Sequence, residues 1–174
     1  MARAAVEQLL YLMDQAFDAA DSEHSLLANI HSVTEEEWPA LPEGGRRSIA
    51  AIAGHVAACK HMYDNHAFGS AAMTWADPAP GLGVSIDQAQ YGGLAKDSTI
   101  EWLRDGHASL RSHIAALDDS ELLAPRRTNW GEMKETRWIV AVMIEHDLYH
   151  AGEINRTRAL LAGTDGWAWE SEAE

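Results

Sequence analysis

Apolar side chains recur at steps of three and four residues through four segments of the chain, which is the spacing of one face of an α-helix. The first segment covers residues 4–30, although Asp21 and Ser22 are suited to bend or break it. Its apolar stripe consists of Val6, Leu10, Met13, Phe17 and Ala20. No segment alternates between apolar and polar residues at a period of two, so the pattern predicts an all-α fold without a sheet.

Three further helices are predicted from residues that commonly begin or end a helix. Ser48 is a suitable N-cap for the second helix. Ser98 and Glu101 have the spacing of a capping box at the start of the third helix. Thr136 is a candidate cap for the fourth helix, which is expected to end near Gly163. The predicted architecture is therefore a four-helix bundle.

A long loop separates the second helix, which is expected to reach about His66, from the third. It covers residues 69–97 and is rich in Gly, Pro and Ala. Loops of this length inside a compact domain are usually functional or mobile, so we expect this one to form part of a pocket wall, with Trp75 as the pocket aromatic. The whole bundle is predicted to be one domain over residues 1–165, followed by an acidic tail at residues 166–174.

Composition excludes several classes of partner. The formal net charge of −14 repels nucleic acid backbones, and the few basic residues form no dense stripe. No stretch approaches the roughly 20 consecutive apolar residues that a membrane-spanning helix needs. The single cysteine, Cys59, cannot form an intramolecular disulfide, and no export signal is apparent at the N-terminus. We therefore expect a cytoplasmic protein that binds neither nucleic acid nor membrane.

The fourth helix carries an unusual seam. Steps of four and three from Ile139 select Met143, His146, His150, Glu153, Thr157 and Leu160, so the inward face turns polar at its middle. Burying these polar groups without partners would cost several kcal/mol, and a divalent cation would remove that penalty for the two histidines. Imidazoles at positions i and i+4 can reach one ion. This spacing alone is weak evidence, because the chain contains nine histidines.

The second helix supplies a third imidazole to the same interior. Its inward stripe consists of Ile52, His55, Cys59, Met62 and His66. Three imidazoles from two helices would leave positions on the ion open for water or substrate, which is typical of a catalytic rather than a structural site. The alternative is a set of core histidines satisfied by hydrogen bonds. Cys59 is better explained as a small buried apolar residue than as a fourth ligand or a nucleophile.

Residues 47–57 and 145–154 resemble the corresponding motifs of the DinB-like superfamily, and the resemblance extends over roughly residues 5–162. It implies a four-helix bundle, often dimeric, with a three-histidine metal site. Carried over by position, the ligands would be His55, His146 and His150. The resemblance, together with the many tryptophans, predicts a homodimer.

Several other residues are candidates for the surroundings of the metal. Glu153 lies on the seam and is favoured over Asp147 as the carboxylate that orients a ligand imidazole. His107 is expected in the core or behind a ligand, and His24 is a candidate to face the substrate. Tyr149 suits either the core or the pocket lining.

Three functions are compatible with such a site. A metal with open positions lowers the pKa of a bound thiol or water. The resemblance to thiol S-transferases within the superfamily implies transfer of a low-molecular-weight thiol to a small-molecule substrate. The alternatives are hydrolysis by a water that the metal activates, and metal or ligand binding without turnover. Three imidazoles suit Zn, Ni or Fe, with Zn and Ni preferred.

Overall fold

A computed structural model of the chain describes residues 2–19 and 24–164. Within these residues lie the helices α1 (Ala4–Asp18), α2 (Leu26–His31), α3 (Ile49–Phe68), α4 (Ile86–Gln90), α5 (Lys96–Ala115) and α6 (Thr136–Ala162). A 3-10 helix (Asp119–Leu123) and the strands β1 (Pro125–Arg127) and β2 (Met133–Glu135) complete the elements. The predicted all-α class is confirmed. The possible break at Asp21 and Ser22 and the acidic tail lie outside the described residues.

Helix α3 is the centre of the bundle. It is apolar on almost every face because α5, α4 and α6 all pack against it. The core divides into two apolar clusters. The first cluster gathers α2, α3 and α4 around Ile30, Ile52 and Ile86. The second cluster gathers α1, α5 and α6 around residues that include Met13, Leu110 and Ile139.

A polar layer lies between the two clusters. Along α6, the last buried member of the second cluster is Met143, and the first residue that belongs to the first cluster is Ala151. The layer consists of the side chains Lys60, His107, His146, Asp147 and His150. The polar middle of the predicted seam on α6 therefore meets polar side chains of α3.

The helix boundaries agree with the sequence at one cap and differ at two. The Ser48 side chain accepts the backbone N–H of Ala51 at the start of α3, as predicted. Helix α5 begins at Lys96, so the proposed capping box at Ser98 is wrong. Thr136 is the first residue of α6 rather than its cap, because its hydroxyl donates to the carbonyl of Ala124 instead.

The prediction of a chain without a sheet is wrong in one place. Strands β1 and β2 pair antiparallel, with Pro125 opposite Glu135. Each strand has three residues, which is too short for alternation to be visible in the sequence. Gly131 in the connecting loop adopts a φ of +95°, a left-handed conformation that favours glycine. The hairpin leads directly into α6.

No helix within residues 2–19 and 24–164 is long and apolar enough to cross a membrane.

Candidate metal centre

Three imidazoles converge between α3 and α6. His55, His146 and His150 each offer a ring nitrogen, and these three atoms lie within 4.8 Å of one another. The Nε2 atoms of His146 and His150 are 3.2 Å apart. Two nitrogens bound to one ion at the usual zinc distance and a tetrahedral angle would be separated by about 3.3 Å. The donor set and its spacing therefore fit a divalent cation.

The histidines are uncharged at neutral pH. Burial lowers the pKa of His55 and of His150. Burial and then the neighbouring His150 and His55 lower the pKa of His146 to about 3. A buried imidazolium would be costly, and three of them would repel one another. The cluster therefore presents lone pairs to a cation instead of positive charge.

A carboxylate orients His150. Its Nδ1 lies 2.7 Å from Oε2 of Glu153. Because a carboxylate can only accept, Nδ1 carries the proton and Nε2 keeps its lone pair toward the cluster. Arg47 donates to the other oxygen of Glu153. The sequence pointed to Glu153 but missed Arg47, which lies in the loop before α3.

Cys59 lies beside the cluster but outside it. Its Sγ is 3.6 Å from Nε2 of His55, yet the thiol is not part of the group of converging ligand atoms. Burial raises the pKa of Cys59 to about 12. A thiol with this pKa is a poor nucleophile at neutral pH. Its surroundings suit the small, buried residue expected from the sequence.

The structure places Asp147 away from the imidazoles. Its Oδ2 accepts from Nζ of Lys60 at 2.7 Å, and both side chains are sealed from solvent. Successive helix residues point about 100° apart, so the side chain that follows His146 leaves the histidine face. Lys60 was also missed by the sequence reasoning. Its position in an otherwise apolar run of α3 was the available signal, because a lysine is almost never buried without a partner.

His107 is a core residue. Its ring stacks on Phe17 with 3.6 Å between centroids, and its Nε2 is 4.0 Å from a carboxylate oxygen of Asp14. Its Nδ1 is buried and has no hydrogen-bond partner within residues 2–19 and 24–164. Burial, followed by the charges of Lys60 and two arginines, lowers the pKa of His107 to about 2. The sequence analysis expected His107 either in the core or behind a ligand, and the structure places it in the core.

The three remaining candidates occupy different surroundings. Tyr149 is largely exposed, and its ring meets His150 edge-on with 5.0 Å between centroids, at the rim of the cluster. His24 is exposed and precedes α2. Trp75 is partly buried and packs against the first cluster.

Comparisons with known proteins give one family and one fold. The family model described as the DinB superfamily matches residues 19–154. The solved structure titled "Crystal structure of the conserved protein of locus from Enterococcus faecalis" is similar with a TM-score of 0.64 at 15% identity. That match covers 94% of this chain and 100% of the other, and at this identity it shows the fold alone. No curated protein matches the sequence.

Proposed function

Since this chain belongs to the DinB superfamily, we propose that it is a metalloprotein that holds one divalent cation between His55, His146 and His150 and transfers a small thiol. The observation that carries the metal proposal is the 3.2 Å separation of the two Nε2 atoms on α6. Zinc or nickel is the proposed metal, and iron is compatible with the same ligands.

The ligand set supports a site with room for a further group. It contains three nitrogens, and His55 and His146 retain partial exposure to solvent. Structural zinc sites usually have four protein ligands, whereas catalytic ones keep a position free. A cation held there would lower the pKa of a thiol or water that bound to it.

The residues around the cluster have separate tasks in this proposal. Glu153 keeps the proton of His150 on Nδ1, so that Nε2 stays available. Arg47 balances the charge of that carboxylate. Burial keeps the three imidazoles neutral until a cation arrives.

The reacting thiol must come from outside the chain. Cys59 is the only cysteine, and its buried thiol is protonated at neutral pH. In the proposed reaction, the sulfur of a low-molecular-weight thiol forms a bond to an electrophilic carbon while the bond from that carbon to its leaving group breaks. The thiol proton is released to the solvent.

The test uses protein purified without an affinity tag, stripped of metal and reloaded with zinc or nickel. A panel of physiological thiols with a chromogenic electrophile should show thiol consumption that requires the metal and is lost in His150→Ala. Cleavage of ester or amide substrates without thiol consumption would instead establish a hydrolase. No turnover in either assay would contradict the enzymatic proposal and favour a binding protein.

We propose a cytoplasmic homodimer as the assembled form. Large apolar side chains are exposed near the hairpin and on α6, among them Trp130, Trp138 and Met133, and burial in a dimer would remove them from water. Size-exclusion chromatography with light scattering should give twice the chain mass. A monomer at micromolar concentration would contradict this proposal.

A further inference from the structure

We propose that Arg47 binds the carboxylate of an acidic thiol beside the metal centre, so that the site prefers thiols that carry such a group. The inference rests on the proposed metal site and thiol transfer, and it narrows the class of thiol. Arg47 is suited to this role by its free donors, its exposure and the charges around it.

The guanidinium of Arg47 keeps donors free for a ligand. It donates to Oε1 of Glu153 through Nη2, and its Nε and Nη1 have no hydrogen-bond partner in the part of the chain that the structure describes. Arg111, which is equally exposed, instead donates to both oxygens of Asp14, through Nε at 2.6 Å and Nη2 at 2.7 Å. Glu153 cannot give Arg47 this paired contact, because its Oε2 is bonded to Nδ1 of His150. Donors of the Arg47 fork are therefore available to a second carboxylate.

Arg47 lies at the solvent-exposed edge of the cluster. The exposed fraction of the side chain rises from 5% at His150 to 26% at Glu153 and 39% at Arg47. The hydrogen-bonded chain thus runs outward from a ligand imidazole, and Arg47 is its outer end. His55 and His146 are also partly exposed, so a small molecule can approach both the imidazoles and the guanidinium from the solvent. A thiol held at the cluster would leave its other end near Arg47.

The charges of the site favour a group with one negative charge. The charges of Arg47 and Glu153 cancel, and histidine ligands are neutral when they bind a metal, so a divalent cation brings an excess of two positive charges. A thiolate and one carboxylate balance this excess. A doubly charged phosphate would exceed it and would lie beside the Glu153 carboxylate, which repels anions. A planar carboxylate also matches the paired donors of a guanidinium.

Equilibrium binding is the first measurement, because it does not require turnover. Calorimetry on tag-free, zinc-loaded protein compares 3-mercaptopropionate with 3-mercaptopropanol, which have the same number of carbons and differ in the carboxylate. We expect the acid to bind about 10-fold more tightly, as a charge-assisted hydrogen bond would allow. Equal affinities, or tighter binding of the alcohol, would overturn this inference alone. Failure of both thiols to bind would overturn the proposed thiol transfer as well.

Arginine variants distinguish a carboxylate bound to Arg47 from one bound to the metal. At full zinc occupancy, Arg47→Met should weaken binding of the acid about 10-fold and leave binding of the alcohol unchanged. Arg47→Lys keeps the charge without the paired donors and should retain part of the preference. Arg137→Met removes an exposed arginine at the start of α6 and should leave the preference intact. A preference that survived in Arg47→Met would place the carboxylate on the metal and overturn the inference, and so would an equal loss for both thiols, which a purely structural role predicts.

Discussion

Helices α3 and α6 build two polar centres in the interior, and they differ in what neutralises them. In the sealed centre, Lys60 and Asp147 carry opposite charges and bond directly, and neither is exposed by more than 1%. In the open centre, three imidazoles bring one ring nitrogen each within 4.8 Å of one another. In the first, Oδ2 of Asp147 accepts from Lys60, while its Oδ1 is buried without a hydrogen-bond partner among the described residues. The second gathers three neutral nitrogen groups, which is an arrangement that a cation can use.

The contrast separates a structural polar group from a binding one. A buried ion pair costs desolvation energy that its own attraction offsets only in part, and removing one partner is harmful because the other charge stays buried and uncompensated. Three converging imidazoles gain little from one another, and a cation is the group that would use all their lone pairs. Burial by itself does not distinguish the two centres, because His150 is also buried. The two centres differ instead in whether opposite charges are paired within the protein.

The largest expected effect comes from breaking the sealed centre. Asp147→Leu leaves Lys60 buried and uncompensated, and it should lower the free energy of unfolding by about 3–5 kcal/mol. The double variant Lys60→Met/Asp147→Leu replaces both charges with apolar groups and should recover most of this loss. Urea denaturation of the metal-free proteins measures both. A single variant as stable as the wild type would show that the ion pair does not hold α3 to α6.

A smaller effect is expected from the carboxylate of the open centre. Glu153→Leu removes the acceptor that orients His150, and zinc affinity should fall by about 10- to 100-fold, which is about 1.4–2.7 kcal/mol. Glu145→Leu, at an exposed position of the same helix, is the matched control. Calorimetric zinc titration distinguishes them. Equal losses in both variants would trace the effect to the charge of the helix and not to His150.

The smallest effect concerns pH and His107, which is buried in the polar layer with its Nε2 4.0 Å from a carboxylate oxygen of Asp14. Its pKa is about 2 in the folded protein and near 6.5 when unfolded, so below pH 6.5 the unfolded chain binds the extra proton. Stability should therefore fall on acidification by about 1.4 kcal/mol per pH unit from this residue. His107→Phe keeps a ring against Phe17 and should make the slope shallower between pH 6.5 and 5. Unchanged slopes in urea denaturation would contradict the assigned burial.

The helices and the convergence of the histidines were predictable because both depend on local periodicity. The stepping of three and four residues that defines α6 also places His146 and His150 on one face. The same stepping put His55 on the inward stripe of α3. Short elements could not be predicted in this way, because they contain too few residues to show a period. Strands β1 and β2 have three residues each, and α4 has five.

The partners of the ligands were harder to predict because they are distant in sequence. Arg47 reaches Glu153 across 106 positions, and its place at the start of the motif at residues 47–57 does not reveal that partner. Helix α4 lies in a segment without periodicity, and its close approach to α3 depends on backbone packing at Gly54. Asp147 follows a ligand directly, and its partner Lys60 is 87 positions away. These roles depend on contacts between residues of different helices and loops. The periodicity of a single helix does not reveal such contacts.

The most direct test of the central claim is a zinc titration of tag-free, metal-stripped protein beside the His146→Ala/His150→Ala variant. We expect one zinc ion per chain in the wild type and loss of that site in the variant, with both proteins folded by circular dichroism. Equal metal binding by the two proteins would contradict the assignment of the three histidines as a metal centre.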